Sequence, residues 1–302
     1  MNIYIYTNSY DANSGGAVVL HRLCHIINKH SEHNAYLVKL DPFNYGEKTI
    51  RKFLSKVKWE FINKYKFQTN PLWETPIWTN IKAFPEDAIV IYPEIINGNP
   101  LNIKNVVRWF LHQPGYHTGV IDYGDNELFY KFNSAIKDFH RSGSHISDND
   151  LKVIYYPIDI YYQKDNIERD IESCFLVRKG FDKPPVHTSD AIRIDGLEHE
   201  QVADIFRRSK RFISYDDYTA YSIFSVLCGC ASYVVPAEGQ TITDWYPDKK
   251  DRYGISYGFS DEQQQWANET KDKVYERVLE EHEKSIHRVK TCLSEMNSYF
   301  FK

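Results

Sequence analysis

Arg178-Lys179-Gly180 places two fixed positive charges directly after the apolar run Ser173–Val177. A guanidinium can grip phosphate oxygens in bidentate fashion and an ammonium adds a point charge, so the pair suits a diphosphate, both as a bound group and as a leaving group. Near the N-terminus, Asp11, Asn13, Ser14, Gly15 and Gly16 fill a polar loop that opens into a helix-spaced segment. Paired glycines there let a ligand approach the backbone where helix N–H groups are unpaired; they also serve as a simple tight turn. Ser214-Tyr215-Asp216-Asp217-Tyr218-Thr219-Ala220-Tyr221-Ser222 carries more hydroxyls and carboxylates than one helix cap needs, and Glu238-Gly239 opens a further loop. The spacing G-x-G-x-x-G and the P-loop pattern G-x-x-x-x-G-K-[ST] are both absent. Cys228 and Cys230 have no partners at metal-ligand spacing, so no metal is expected.

These residues need elements to hold them. Residues 3–6, a helix from Ala17 to Ile27 and a run at 35–40 read as strand, glycine loop, helix and strand, a β-α-β unit. The stretch 41–87 holds four prolines, with a helix expected near 48–64. Strands are predicted at Ala88–Tyr92 and Asn105–Leu111, a surface helix or loop at 126–139 and a short strand at 153–156. Pro157–Asp165 reads as the hinge, giving domains at 1–157 and 158–302. The second half repeats the alternation: strands at Ser173–Val177, Ala191–Ile194, Phe212–Tyr215 and Ser232–Val235, helices at 198–210 and 218–228. From about 262 to 301, Val274, Val278, Ile286, Val289, Leu293 and Met296 form the apolar stripe of one long helix or two shorter ones. The fold class expected is α/β, two Rossmann-like domains facing a cleft, with a long C-terminal helix.

Lys+Arg 37 against Asp+Glu 41 leaves a net charge of −4, so the chain lacks the overall basic field of a general nucleic-acid binder, and phosphate must be bound locally. An aromatic share of 15 % excludes a disordered chain. Five scattered cysteines argue against a disulfide framework and for reduced thiols. Neither a secretory leader nor a membrane-length apolar run is evident, so a cytoplasmic location is expected, with peripheral contact at the inner face of the membrane left open.

The run Phe212 to Glu238-Gly239 resembles the donor-binding half of bacterial glycosyltransferases of the GT-B fold, in particular sugar-nucleotide-dependent enzymes of polysaccharide and O-antigen biosynthesis. Val90-Ile91-Tyr92-Pro93-Glu94, Gly98-Asn99-Pro100-Leu101, Val106-Val107-Arg108-Trp109, Leu176-Val177-Arg178-Lys179-Gly180 and Tyr253–Gly258 are similar to segments of the same group, in the same order. The resemblance implies a metal-independent hexosyl- or deoxyhexosyltransferase that takes a nucleotide-diphosphate sugar as substrate, uses no cofactor and acts on a glycan or lipid-linked saccharide. Arg178 and Lys179 would meet the diphosphate, and Asp217, Tyr218, Thr219 and Ser222 the phosphates, ribose or sugar. Retaining members often carry two glutamates seven residues apart where this chain has Asp216, Asp217 and Phe224-Ser225, so a ribose-binding carboxylate is missing or comes from Glu238, and the stereochemistry stays open.

An inverting transfer also needs a general base. Glu94, just past a strand, and Asp11, in the first glycine loop, are the candidates; His112 and His117 follow. Asp148-Asn149-Asp150 matches the letters of a metal-binding Asp-x-Asp but lacks the apolar strand that should precede it, so a surface loop is expected. Two alternatives share the same architecture: a nucleotide-sugar epimerase-like enzyme, and a non-catalytic protein that binds a nucleotide or saccharide.

Overall fold

A computed structural model describes residues 1–40 and 67–301. The helix expected near 48–64 lies outside the described residues. The chain divides into two compact units, one comprising Met1–Tyr155 with His282–Lys302 and the other Tyr156–Glu281.

The first unit is built on a six-stranded sheet. Its strands are β1 (Asn2–Thr7), β2 (Asn34–Lys39), β3 (Ala88–Pro93), β4 (Asn105–Phe110), β5 (Leu128–Lys131) and β6 (His145–Ile146), in the order β2-β1-β3-β4-β5-β6. Every pairing is parallel, with Asn2 opposite Asn34 on one side of β1 and opposite Ala88 on the other. Alternation within β1 sorts its side chains. Ile3 and Ile5 join an aliphatic core with Leu20, Leu23 and Ile27 of helix α1 (Gly15–His30), while Tyr4 and Tyr6 enter a second cluster with Val90 and Tyr92. This second, tyrosine-lined layer accounts for part of the high aromatic content. Helix α1 starts at Ser14, whose Oγ accepts the Ala17 N–H at 3.4 Å, and ends with Lys29 and His30 against the negative end of its dipole.

The second unit holds β7 (Ile171–Leu176), β8 (Ile192–Arg193), β9 (Ser209–Ser214), β10 (Ala231–Val234) and β11 (Ile255–Tyr257), again all parallel, in the order β11-β10-β9-β7-β8. Helices α2 (His199–Arg208) and α3 (Tyr221–Leu227) contribute Val202, Phe206 and Phe224 to a core shared with Cys174, Leu176, Phe212 and Val234. A single turn α4 (Ile242–Trp245), helix α5 (Asp261–Thr270) and the long α6 (Val274–Phe300) complete the chain. All five cysteines are buried free thiols.

The structure therefore shows an α/β protein with two parallel sheets and a long C-terminal helix. Three expectations are corrected. Residues 126–139 contain the buried strand β5, because Leu128, Phe129 and Tyr130 fill the sheet interior. Residues 153–156 form no strand; Leu151 and Val153 are buried, but this extended segment has no ladder partner. The last part of the terminal helix, expected in the second domain, belongs to the first unit, where Val289, Cys292, Leu293 and Met296 complete the aliphatic core around Ile3 and Ile5.

Candidate functional site

When the strands of each unit are numbered from its own start, both sheets follow the strand order 2-1-3-4-5, with a sixth strand added at the end of the first. In such sheets the loops leaving the first and third strands turn away in opposite directions, and the gap between them at the carboxyl edge takes ligands. One such switch point lies beyond β1 and β3, the other beyond β7 and β9.

In the first unit the gap is a pocket of about 290 Å³ at the lower limit of small-molecule sites, lined by Thr7, Gly16, Glu94, Leu111, His112 and His117 among others. Glu94 is 5 % exposed, and its Oε2 accepts the Leu111 N–H at 3.0 Å. Burial pushes its carboxyl above the ordinary carboxylate range, against the pull of the Leu111, Glu94 and His112 N–H groups and of nearby His117. The His112 and His117 rings lie 4.9 Å apart, centroid to centroid. A buried carboxyl in a pocket also lined by two imidazoles can serve as proton acceptor for a hydroxyl.

A buried scaffold holds Glu94. Tyr123 donates its hydroxyl to the Glu94 carbonyl at 2.6 Å, and Arg108 lies 4.3 Å from the Tyr123 ring centroid. The Arg108 guanidinium donates Nε–H and Nη2–H to both oxygens of Glu127, at 2.8 and 2.6 Å, and further N–H groups to the Ile96 and Gly98 carbonyls. His21, whose ring is held neutral mainly by burial, bonds the Asn8 carbonyl at 2.9 Å and so ties the start of the glycine loop to α1.

Gly15 and Gly16 open α1, and Gly16 lines the pocket. A Cβ on Gly15 would meet nothing, and one on Gly16 only Leu111 Cδ1 at 3.8 Å, so packing within the described residues does not demand glycine at either place. Asp11 is exposed and outside the pocket lining; its Oδ1 accepts the Asn13 N–H at 2.9 Å, which makes it a turn residue.

In the second unit, Arg178 and Lys179 are exposed at the end of β7. Arg178 has φ +38°, a left-handed conformation that costs energy for a side chain with a Cβ. Asp195, just past β8, stabilises the turn by accepting the Arg178 N–H at 2.8 Å and the Val177 N–H at 3.0 Å. Burial raises the Asp195 carboxyl, yet those N–H groups and Arg193 outweigh it and hold its pKa below the usual value. Gly180 is required sterically, since a Cβ there would fall 2.0 Å from the Tyr215 carbonyl oxygen.

Further along the same loop, Lys183 donates to Asp217 Oδ1 and to the Val235 carbonyl, both at 2.7 Å, pinning the β7 loop to the ends of β9 and β10. The Tyr215 hydroxyl accepts the Val186 and His187 N–H groups at 2.7 and 3.2 Å, and its own proton is left for His187 Nδ1 at 2.6 Å. That assigns the His187 proton to Nε2.

The other residues expected to meet a donor divide by exposure. Tyr218 is exposed, its hydroxyl accepting from Gln240 Nε2 at 2.9 Å, and Glu238 and Gly239 are exposed in the loop after β10. Asp217 is engaged by Lys183, Thr219 is buried and accepts the Tyr221 N–H at 3.3 Å, and Ser222 is buried with its Oγ unpaired among the described residues. Sequence reasoning missed Lys183, Asp195 and His187. Asp195 was findable, because it follows the predicted strand Ala191–Ile194 as Arg178 follows its own.

Among the described residues no group of three or more His, Cys, Asp or Glu side chains is placed to hold a metal ion. Asn149, the middle residue of the Asp-x-Asp-like run, donates to Glu295 Oε2 at 3.1 Å. No helix of the described residues is long and apolar enough to cross a membrane. No family model matches the chain, and no curated protein matches its sequence.

Proposed function

We propose that the protein is a glycosyltransferase that moves a sugar from a nucleotide-diphosphate donor to a saccharide or lipid-linked acceptor. The observation that carries this reading is the turn after β7: two exposed cations at a switch point, with Arg178 held in a strained backbone by a dedicated carboxylate, Asp195. A fold does not maintain a left-handed arginine at a solvent-exposed strand end for packing, whereas a pyrophosphate site benefits from a guanidinium fixed in direction.

In this reading Arg178 and Lys179 bind the diphosphate and take up the negative charge that grows on it as the anomeric C–O bond breaks. Tyr218, Glu238 and Gly239 border the same edge and are available to the nucleoside or sugar, with Glu238 as the ribose carboxylate. Glu94 accepts the proton of the acceptor hydroxyl as its oxygen bonds to the anomeric carbon. Burial raises the affinity of this carboxyl for that proton above that of an ordinary carboxylate. Thr219 and Ser222 act from beneath the surface, shaping the segment that Tyr218 leaves, and Asp11 shapes the turn before α1.

The test is ligand-dependent thermal stability. A nucleoside diphosphate at about a hundredfold excess over its Kd should add roughly 2.7 kcal/mol of native-state stability to the wild-type chain. The Arg178→Ala/Lys179→Ala double variant should lose that response while melting as the wild type does without ligand. An unchanged response in the double variant would remove the donor site from this turn. Nucleotide binding without sugar transfer to any offered saccharide acceptor would favour the non-catalytic binding reading.

A further inference from the structure

A second pocket in the second unit lies apart from the carboxyl edge. It has a volume of about 530 Å³, well inside the range of small-molecule sites. One wall is formed by Gly229, Cys230, Ala231, Ser232 and Tyr233, the loop into β10 and the strand itself, and the other by the C-terminal half of α5.

A helix that packs on a sheet normally turns an apolar stripe toward it. Helix α5 instead offers Gln264, Gln265 and Asn268 to this space, with Ala267 as the one small apolar residue among them. Its first nine residues include none that is buried, only the last, Thr270.

The lining is rich in hydrogen-bonding capacity and poor in charge. It contains no carboxylate, and its one cation, Lys271, donates to Asn268 Oδ1 at 2.7 Å. Gln264 accepts from the Tyr233 hydroxyl at 3.2 Å and donates to the Phe259 carbonyl at 2.8 Å, which leaves one amide hydrogen and one lone pair to offer. Asn268 keeps its amide hydrogens, and Gln265 its side-chain carbonyl, without partners among the described residues. Ser232, 1 % exposed in the wall, has an Oγ with no hydrogen-bond partner among the described residues. Of the described aromatic residues only Tyr233 lines the pocket, and its ring is held by stacking on Phe259 at 5.4 Å.

Amides that both donate and accept, together with the Tyr233 ring, no carboxylate and a single ammonium already engaged by Asn268, match a ligand made of neutral hydroxyls on an apolar ring. A phosphate would meet only one ammonium, already engaged, and an apolar ligand would strand the amides. We propose that this groove between α5 and β10 is a binding site for a neutral saccharide. It is separate from the Arg178 turn, and the proposal holds whether or not the protein transfers sugar.

The experiment is saturation-transfer difference NMR on the full chain with neutral oligosaccharides of glucose, galactose, mannose and N-acetylglucosamine. The variant is Ala267→Trp, which fills the groove from a partly exposed helix position, with Gln264→Ala/Asn268→Ala as a second variant that removes the amides without adding bulk. At least one oligosaccharide is expected to receive saturation from the wild type. The signal should vanish in Ala267→Trp, and the double variant should bind about tenfold more weakly, both retaining the wild-type melting temperature. Inorganic pyrophosphate should leave the signal unchanged. Absence of transfer to every saccharide at millimolar concentration, persistence of the signal in a folded Ala267→Trp, or displacement by pyrophosphate would each overturn the proposal. If Ala267→Trp melts early, the double variant decides alone.

Discussion

Glu94 illustrates how one side chain can be both a structural tie and a chemical group. Its carboxyl is buried against the Leu111 and His112 N–H groups, and burial dominates, raising its pKa in the folded chain above the value it has when unfolded. The folded state therefore binds this proton more tightly than the unfolded state does. Its contribution to stability is fullest below the unfolded carboxyl's pKa and declines as pH rises through the folded one. Glu94→Gln keeps an oxygen to accept the Leu111 N–H but cannot ionise. Denaturation measured across pH should show the wild type losing stability from the mildly acid range upward relative to the variant, with the two closest at the acid end. A general base that is lost should also cost about 10²-fold or more in transfer rate. A variant with full activity would leave Glu94 only its structural role. The sequence made this residue visible because it follows a predicted strand, but the burial that gives it its chemistry depends on Tyr123 and on the Arg108–Glu127 pair, which lie far along the chain. Asp217 shows the opposite case: it reads as a free carboxylate, and only the fold brings Lys183, thirty-four residues earlier, to neutralise it.

At the scale of elements, the strands that read most plainly are β1 and β3, with four or more consecutive apolar residues, since parallel strands buried on both faces read as unbroken apolar runs; β4 is found from the apolar pairs on either side of Arg108. Strand β5 escaped because Glu127 and Lys131 bracket only three apolar residues, and a buried glutamate paired with a buried arginine has no signature in local sequence. The terminal helix was legible as a helix, but not in its allegiance. Glu295 decides that: its Oε2 accepts from Ser147 Oγ at 2.7 Å, from the Tyr130 hydroxyl at 3.0 Å and from Asn149 Nδ2, joining α6 to β5 and to the loop after β6. Leu293, 3 % exposed and two residues before Glu295, lies in the core with Ile3 and Ile5. Truncating it in Leu293→Ala should cost roughly 2–5 kcal/mol, the range for a large-to-small change in a packed core, read from denaturant midpoints. A loss well under 1 kcal/mol would mean that the helix end is not part of the first unit's core in solution.

At the scale of the molecule, the chain uses one strand order twice, and each unit closes its own hydrophobic core. Ligand effects should therefore be local to the unit that binds, because stabilisation by a ligand is confined to the openings that disrupt its site. This gives a prediction that separates the two switch points without reference to turnover. With a saturating nucleoside diphosphate, amide hydrogen exchange should slow in 171–183 and 209–222, the segments that build the Arg178 turn and the β9–α3 loop, and slow most at the Val177 and Arg178 amides, whose acceptor is Asp195. The strands β1 and β3 and the loop that presents Glu94 should exchange at their unliganded rates. Protection centred on the glycine loop before α1 and on Glu94 would instead assign the nucleotide to the first unit's pocket, where Gly15 and Gly16 leave space at the start of a helix. The roles of the two carboxyl edges would then exchange, with the Glu94 carboxyl facing a phosphate whose negative charge would hold it further toward its protonated form.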